Sequence, residues 1–253
     1  EGNQLRNLFS LDYEDDFEPG PIEGLSYHPI RVRVSDNRGA SIEKTFFITV
    51  SDDPLDNPLQ VPMVKVDPPD GTKEDLFGSS VSLLGDLLLV GATEADLGDR
   101  NDTGATYLFR IEANGSSTYL SKLTAHDGNE EDSFGTSVSQ SGDFFAIGAT
   151  RADMDDRNDT GAAYVFHMET NDGTTLVAKV AAPDGSEGDG FGHSVSISDE
   201  FLSVGAPFSA EGEDGAVYLF RMEANGSVSH LTKLMAPDDT VGGNFGHSIS
   251  ESD

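Results

Sequence analysis

The chain contains no cysteine and no tryptophan, and it has few basic residues. Without cysteine it can form no disulfide, no thiolate metal site and no cysteine nucleophile. Lys and Arg number 15 against 46 Asp and Glu, and the net charge of −31 disfavours binding to nucleic acid or to an anionic membrane. The sequence also lacks a run of about 18 apolar residues and a basic segment followed by a hydrophobic one, so it predicts neither a membrane anchor nor a signal peptide here.

The remaining composition is that of a folded protein. Hydrophobic residues make up 36% of the chain, and the 28 glycines among 253 residues bring the apolar fraction into the ordinary globular range. The strong acidity has two interpretations that the sequence leaves open. One is affinity for cations, and the other is solubility in a salty or extracellular medium.

A Phe-Gly pair recurs at almost fixed intervals along the chain. The pairs begin at Phe77, Phe134, Phe191 and Phe245, so the steps are 57, 57 and 54 residues. A Gly-Ala pair keeps the same spacing, at Gly91, Gly148 and Gly205. A period of this size made of short strands is typical of a propeller or solenoid, in which each unit buries its hydrophobic face against its neighbours.

The unit that begins at Phe134 predicts four antiparallel strands. The strand segments are 137–139, 144–147, 162–167 and 176–182. Turn residues separate them at Gly142-Asp143 and at Asn171-Asp172-Gly173. The fold class is therefore all-β, with four-stranded blades of a truncated β-propeller. Gly135 and Gly148 are predicted to lie where strands crowd a neighbouring blade or the central axis.

The order of Phe-Gly, Gly-Ala-Pro and an aromatic strand resembles the FG-GAP repeats of the integrin alpha-chain propeller and its bacterial and protist relatives. The third unit has the full signature at Phe191-Gly192 and Gly205-Ala206-Pro207, whereas Thr93 and Thr150 replace the proline in the other units. The resemblance covers about residues 63–253, with units near 63–119, 120–176, 177–230 and 231–253. It implies seven blades, so three units and a start should leave a propeller open, with unpaired strands that associate.

Residues 1–58 do not follow the repeat. Ile30 to Val34 and Ser41 to Val50 predict a hairpin of two strands. Leu11-Asp12-Tyr13-Glu14 and the segment 53–58, with sequence DPLDNP, resemble the C-terminal half of a cadherin-type repeat and its linker, although Leu55 replaces the linker asparagine. This resemblance implies part of an immunoglobulin-like β-sandwich, and the missing first half indicates an internal piece of a longer protein.

The candidate metal ligands are all oxygen donors, as calcium prefers. The cadherin-like resemblance implies calcium ligands at Asp12, Glu14, Asp53, Asp56 and Asn57. Integrin-like repeats hold calcium between their first two strands, but turns such as Ser141-Gly142-Asp143 are too short here, so that site is not predicted. Two longer loops supply further candidates, which are Asp96, Asp99, Asp102, Asp153, Asp155, Asp156 and Asp159.

The loop before each Phe-Gly pair also carries oxygen donors at alternate positions. In the second unit these are Asp127, Asn129, Glu131 and Asp132, but Asp132 stands where a calcium loop requires glycine. For this loop and for the two longer ones, a solvated turn with a capping aspartate is the alternative to calcium binding, and the sequence favours it.

No catalytic group emerges from the sequence, which predicts that the chain is not an enzyme. His193 and His247 follow Phe-Gly where other units have Ser79 and Thr136, so they are interpreted as variable loop positions. No serine lies in a nucleophile elbow. Four sequons lie in predicted loops and would make the chain a glycoprotein if a eukaryotic cell secretes it, at Asn101, Asn114, Asn158 and Asn225.

Two classes of function are left open. In the first, the chain is an extracellular or cell-surface adhesion protein, in which a calcium-dependent cadherin-like module supports a propeller that presents loops to a protein or glycan ligand. In the second, the propeller is a non-catalytic attachment to a secreted enzyme whose active domain lies outside this segment. Neither class requires contact between this segment and a membrane, and any signal peptide or membrane anchor is expected outside it.

Overall fold

A computed structural model describes residues 26–35, 41–50, 65–154, 157–209, 215–223, 225–237 and 243–251. The chain divides into two compact units, Glu1–Met63 and Val64–Asp253. In the first unit the described residues form an antiparallel hairpin of β1 (Ser26–Ser35) and β2 (Ser41–Val50). The two predicted strands of this hairpin are confirmed, and the turn and the calcium ligands predicted around them lie outside the described residues.

The second unit contains three four-stranded antiparallel sheets, each a meander in chain order. The first sheet comprises β3 (Phe77–Leu84), β4 (Leu87–Ala92), β5 (Ala105–Ile111) and β6 (Ser117–Leu123). The second comprises β7 (Phe134–Ser141), β8 (Phe144–Ala149), β9 (Ala162–Met168) and β10 (Thr174–Val180). The third comprises β11 (Ser194–Ile197), β12 (Phe201–Ala206), β13 (Ala216–Met222) and β14 (Val228–Met235). The described residues contain no helix, and the all-β fold with propeller-like blades is confirmed.

The three sheets, here called the first, second and third blade, pack face to face through side chains that alternate along each strand. In β8, Phe145 and Ile147 join a buried cluster with Leu108 of the first blade. Ala146, between them in sequence, joins a different cluster with Leu202 of the third blade. Both faces of the second blade are therefore covered, which explains why β8 is a continuous apolar run and does not alternate with polar residues.

Each blade meets the next unit through one repeated set of serine and glycine contacts, here called the joint. The hydroxyl of Ser137 donates a 2.8 Å hydrogen bond to the carbonyl oxygen of Gly192, and the equivalent serines of the other blades do the same at 2.7 Å. A methyl group on Gly148 would lie 1.9 Å from the Gly192 oxygen, and one on Gly135 would lie 2.5 Å from the oxygen of Ala105. The predicted crowding at Gly135 and Gly148 is confirmed, because only glycine permits this approach.

A buried tyrosine, an aspartate and a lysine form a second repeated contact within each blade. In the second blade the Tyr164 hydroxyl donates to Asp127 at 3.1 Å, and the Lys179 ammonium donates to the other oxygen of Asp127 at 2.6 Å. Lys179 also lies 5.2 Å from the centre of the Tyr164 ring, where a cation and an aromatic ring attract each other. The same triad recurs in the other two blades as Tyr107, Asp70 and Lys122, and as Tyr218, Asp184 and Lys233.

The joint between the blades generates a stability prediction. Gly148→Ala should lower the free energy of unfolding by about 3 kcal/mol, because its methyl group meets a backbone oxygen that cannot rotate away. Gly173→Ala is the matched control, since its methyl group would meet only the side chain of Asn171, and it should cost less than about 1 kcal/mol. Urea unfolding of both variants measures the difference, and equal losses would contradict this account of the joint.

The triad generates a prediction about pH. Burial acts to raise the pKa of Asp127, but the hydrogen bond and charge of Lys179 outweigh it and hold that pKa below its ordinary value of 3.8. The stability that Asp127 contributes is therefore present above about pH 3.8 and lost as the pH falls through the lower folded-state pKa. Lys179→Met should cost about 1 kcal/mol at pH 7, since the pair is partly exposed, and the cost should shrink below pH 3.8.

Lys65→Met is the control for this experiment. Lys65 pairs with Asp67 at 2.8 Å, but the two side chains are 83% and 58% exposed. Its loss should change the free energy of unfolding by no more than about 0.5 kcal/mol at any pH. A cost for Lys179→Met that did not depend on pH would show that Lys179 acts through packing and not through Asp127.

Candidate functional site

The two ends of the blades differ in the length of their connections. One end, here called the long-loop end, carries connections 93–104, 124–133, 150–161 and 181–193. The opposite, short-turn end carries tight hairpins such as 85–86 and 142–143. All the predicted loop ligands of the propeller part belong to the long-loop end.

The connection 93–104 is a closed loop held by its own hydrogen bonds. The Asp96 carboxylate accepts a 3.1 Å bond from the backbone N–H of Asp102. Leu97 and Arg100 exchange two backbone bonds of 3.0 and 3.3 Å. Asp102 has a φ of 52°, in the left-handed region that aspartate tolerates better than most residues. Asp96 therefore caps a turn, whereas the Asp99 side chain is exposed to solvent.

The connection 150–161 repeats this arrangement in the second blade. The Asp153 carboxylate accepts a 3.0 Å bond from the N–H of Asp159, whose φ is 51°. Met154 and Arg157 exchange backbone bonds of 3.0 and 2.9 Å. The side chain of Arg151 lies 3.9 Å from Asp159 and 3.5 Å from Glu131. The described residues of this loop thus repeat the first loop, with the basic side chain of Arg151 where the first loop has Glu94.

An arginine ties each of these loops to the neighbouring connection. The Arg100 guanidinium donates to the carbonyl oxygen of Gly128, and the Arg157 guanidinium donates to that of Gly185. Each arginine lies inside its loop, and each glycine lies in the connection that leads to the next blade. Arg100 and Arg157 therefore fix the described part of each loop to the neighbouring connection.

The predicted calcium ligands of these loops are only partly described. Among the described residues, no group of three or more His, Asp or Glu side chains is placed to hold a metal ion. Asp96 and Asp153 accept backbone hydrogen bonds, and Asp155 and Asp156 lie outside the described residues. The candidates in the N-terminal segment also lie outside the described residues and stay predictions, at Asp12, Glu14, Asp53, Asp56 and Asn57.

The loop before Phe134 uses its carboxylates as internal acceptors. Asp132 is buried and accepts a 2.8 Å hydrogen bond from the N–H of Asn129. Burial raises the pKa of Asp132 to about 6. Asp75 and Asp189 accept the same bond in the other two blades, at 3.1 and 2.8 Å. Together with the pairing of Asp127 to Lys179, this matches the capping alternative that the sequence left open.

Two histidines meet at the long-loop end, where sequence reasoning treated them as separate variable positions. The ring centres of His193 and His247 lie 4.5 Å apart, and the ring planes make an angle of 55°. The ring of Phe208 lies 5.7 Å from that of His193. Burial, and next the charge of His247, lower the pKa of His193. The sequence shows that both histidines follow a Phe-Gly pair in consecutive units, but only the packing of one unit against the next brings them together.

The family comparison identifies the repeats. The FG-GAP repeat model matches residues 62–109, 118–166 and 174–220, which together make up more than half of the chain. These matches begin at residue 62, so the cadherin-like interpretation of residues 1–58 stays a prediction, as does the specific likeness to integrin alpha chains. No curated protein matches the chain.

The repeat type has a known biological setting. FG-GAP repeats are found in extracellular adhesion and ligand-binding proteins. In the part of the chain that the structure describes, no helix has the length and hydropathy needed to cross a membrane. Three matched repeats coincide with three four-stranded antiparallel sheets joined in the same way. The chain therefore belongs to the FG-GAP repeat family.

Proposed function

We propose that the chain is a non-catalytic extracellular scaffold that binds a ligand at its long-loop end. The observation that carries the proposal is the pair of matching loops, 93–104 and 150–161, which two successive blades present at the same end. Binding sites are commonly formed by loops on a rigid framework, because the framework fixes the loops without constraining their sequence. The family setting in adhesion and ligand-binding proteins agrees with this role.

The described residues of both loops are suited to binding because their hydrogen bonds leave little conformational entropy for a ligand to remove. Each is closed by an aspartate cap and tied through its arginine to the next connection. Ordering flexible loops costs free energy upon association, so preorganised loops favour affinity. The Asp99 side chain is exposed, so its carboxylate can face a partner.

Charge narrows the chemistry of the ligand. A net charge of −31 attracts cationic partners over long range and repels polyanions. We infer that the ligand is a cell-surface protein with a basic patch or a glycan without strong negative charge. Nucleic acid is not expected to bind, and this segment itself is not expected to contact a membrane.

The absence of catalysis is part of the proposal. The carboxylates that the structure describes at this end mostly serve the fold, as caps for backbone N–H groups or partners of lysine and tyrosine. A general acid or base must instead be free to reach a substrate proton. Binding without turnover is the role that these groups support.

We expect neutral substitutions in the loop 93–104 to weaken ligand binding. Asp99→Asn combined with Asp102→Asn should lower the association rate of the ligand roughly three- to tenfold at low salt, with little effect above physiological ionic strength. The probes are a printed glycan array and a library of purified, biotinylated cell-surface proteins, followed by surface plasmon resonance on each ligand found. Asparagine keeps the left-handed backbone at position 102, so the loop should stay folded.

The charge-matched control changes the opposite end of the blades. Asp143→Asn with Glu200→Gln removes the same two charges from exposed positions in short turns. This variant should bind as the unchanged chain does. Equal loss in both variants would show a general charge effect, and the absence of any ligand in both libraries would contradict the proposed function.

For residues 1–58 we propose a calcium-dependent module, on the cadherin-like resemblance alone. Four carboxylates near one end of a sandwich would repel one another until a divalent cation neutralises them, and the Asn57 amide would supply a neutral oxygen ligand. Calcium at about 100 times its dissociation constant should stabilise the fold by roughly 2.7 kcal/mol, visible in a thermal melt. Asp53→Ala with Asp56→Ala should abolish this gain, whereas Asp143→Ala should preserve it. Calorimetric titration with calcium measures the binding directly. Calcium binding by the double variant equal to that of the unchanged chain would refute the assignment of these ligands.

A further inference from the structure

The repeat brings His193 and His247 together at the joint after the third blade. Gly215 and Phe245 form a parallel bridge across this joint, and the Ser194 hydroxyl donates a 2.7 Å bond to the Gly246 oxygen. The residues that follow the two Phe-Gly pairs are therefore neighbours. At the earlier joints the corresponding residues are Ser79 with Thr136, and Thr136 with His193. Among the described joints, only the last sets one imidazole against another.

The backbone of both histidines is held in place. The N–H of His193 donates to the carbonyl of Gly190, and the N–H of His247 donates to that of Asn244, each at 3.0 Å. His193 is half-buried and His247 is exposed, so an ion in solution can reach the pair. Phe208 flanks His193 and covers one side of it with an apolar ring. The backbone of the pair is thus fixed, and the rings are accessible to solvent.

The spacing of the rings suits a shared ion. An imidazole nitrogen binds Zn²⁺ at about 2.0–2.1 Å, so the nitrogens of two rings on one ion are at most about 4 Å apart. Each nitrogen lies on the perimeter of its ring, and ring centres 4.5 Å apart bring the perimeters within that reach. Rotation of the rings can then aim one nitrogen of each at the same point.

We propose that His193 and His247 form a site for one divalent transition-metal ion, with Zn²⁺, Cu²⁺ and Ni²⁺ as the fitting ions. Imidazole nitrogen suits these metals, whereas Ca²⁺ and Mg²⁺ require oxygen ligands. Two protein ligands leave the other coordination positions to water on the solvent side. The charge of −31 raises the local concentration of any cation. The site is independent of the proposed ligand-binding loops, so either proposal can fail without the other.

Calorimetric titration of the whole chain with Zn²⁺ or Ni²⁺ tests the proposal, in a large excess of Mg²⁺ that occupies carboxylates. We expect one ion per chain and a rise in melting temperature that EDTA reverses. His193→Thr and His247→Ser carry residues that the chain itself has at Thr136 and Ser79, so both variants should fold. Each should weaken binding at least about tenfold. The exposed His126→Gln variant should bind as the unchanged chain does.

A gain-of-site variant tests the geometry separately. Ser79→His with Thr136→His reproduces the pair at the joint between the first and second blades, and it also sets an imidazole at position 136 beside His193. The four imidazoles then make two pairs, so the stoichiometry should rise from one ion to two. A stoichiometry that stays at one would overturn the inference that juxtaposition at the joint makes the site. Absence of Zn²⁺ and Ni²⁺ binding by the unchanged chain, or undiminished binding by His193→Thr, would overturn the proposal itself.

Discussion

The close approach of two glycines across each joint is the constraint on which the blade packing depends. Gly148 of the second blade lies so near the Gly192 carbonyl that no side chain fits between them. This approach lets the Ser137 hydroxyl reach the same carbonyl and brings the buried Phe191 ring against its neighbour. A side chain at either glycine would separate the faces whose apolar contact stabilises the fold. The Phe-Gly and Gly-Ala pairs are therefore two halves of one contact.

The repeat made the strands predictable, whereas their limits depend on local backbone geometry. The segment predicted as 137–139 belongs to β7, which begins three residues earlier, at Phe134. The first part of β7 is irregular, since Gly135 has a φ of 94° and the register shifts between Phe134 and Ser137. An irregular strand of this kind does not alternate, so periodicity detects only its regular part. Strand β10 runs from Thr174 to Val180, two residues earlier than predicted at both ends, and it carries a similar irregularity between Leu176 and Ala178.

The roles of the acidic residues were less predictable, because a carboxylate can bind a metal, cap a turn or pair with a base at the same spacing. Asp96 and Asp127 belong to loops with similar sequence patterns, yet one accepts a backbone N–H and the other a lysine 52 residues away. Comparison of the units could have found the lysine, because Lys122, Lys179 and Lys233 keep the period. The meeting of His193 and His247 required the joint itself, which no single unit contains.

The repeated joint has a consequence for how the length of such a chain can change. Each of the three described blades presents the same serine and glycine to the unit after it, and that unit meets them with its Phe-Gly pair, which begins at Phe134, Phe191 or Phe245. Recombination between equivalent points of two units would remove or duplicate one whole blade. The two blades that then become neighbours would still carry complementary surfaces. Families of this architecture can therefore gain or lose units by unequal crossing-over without inventing an interface, and only the loops need then diverge.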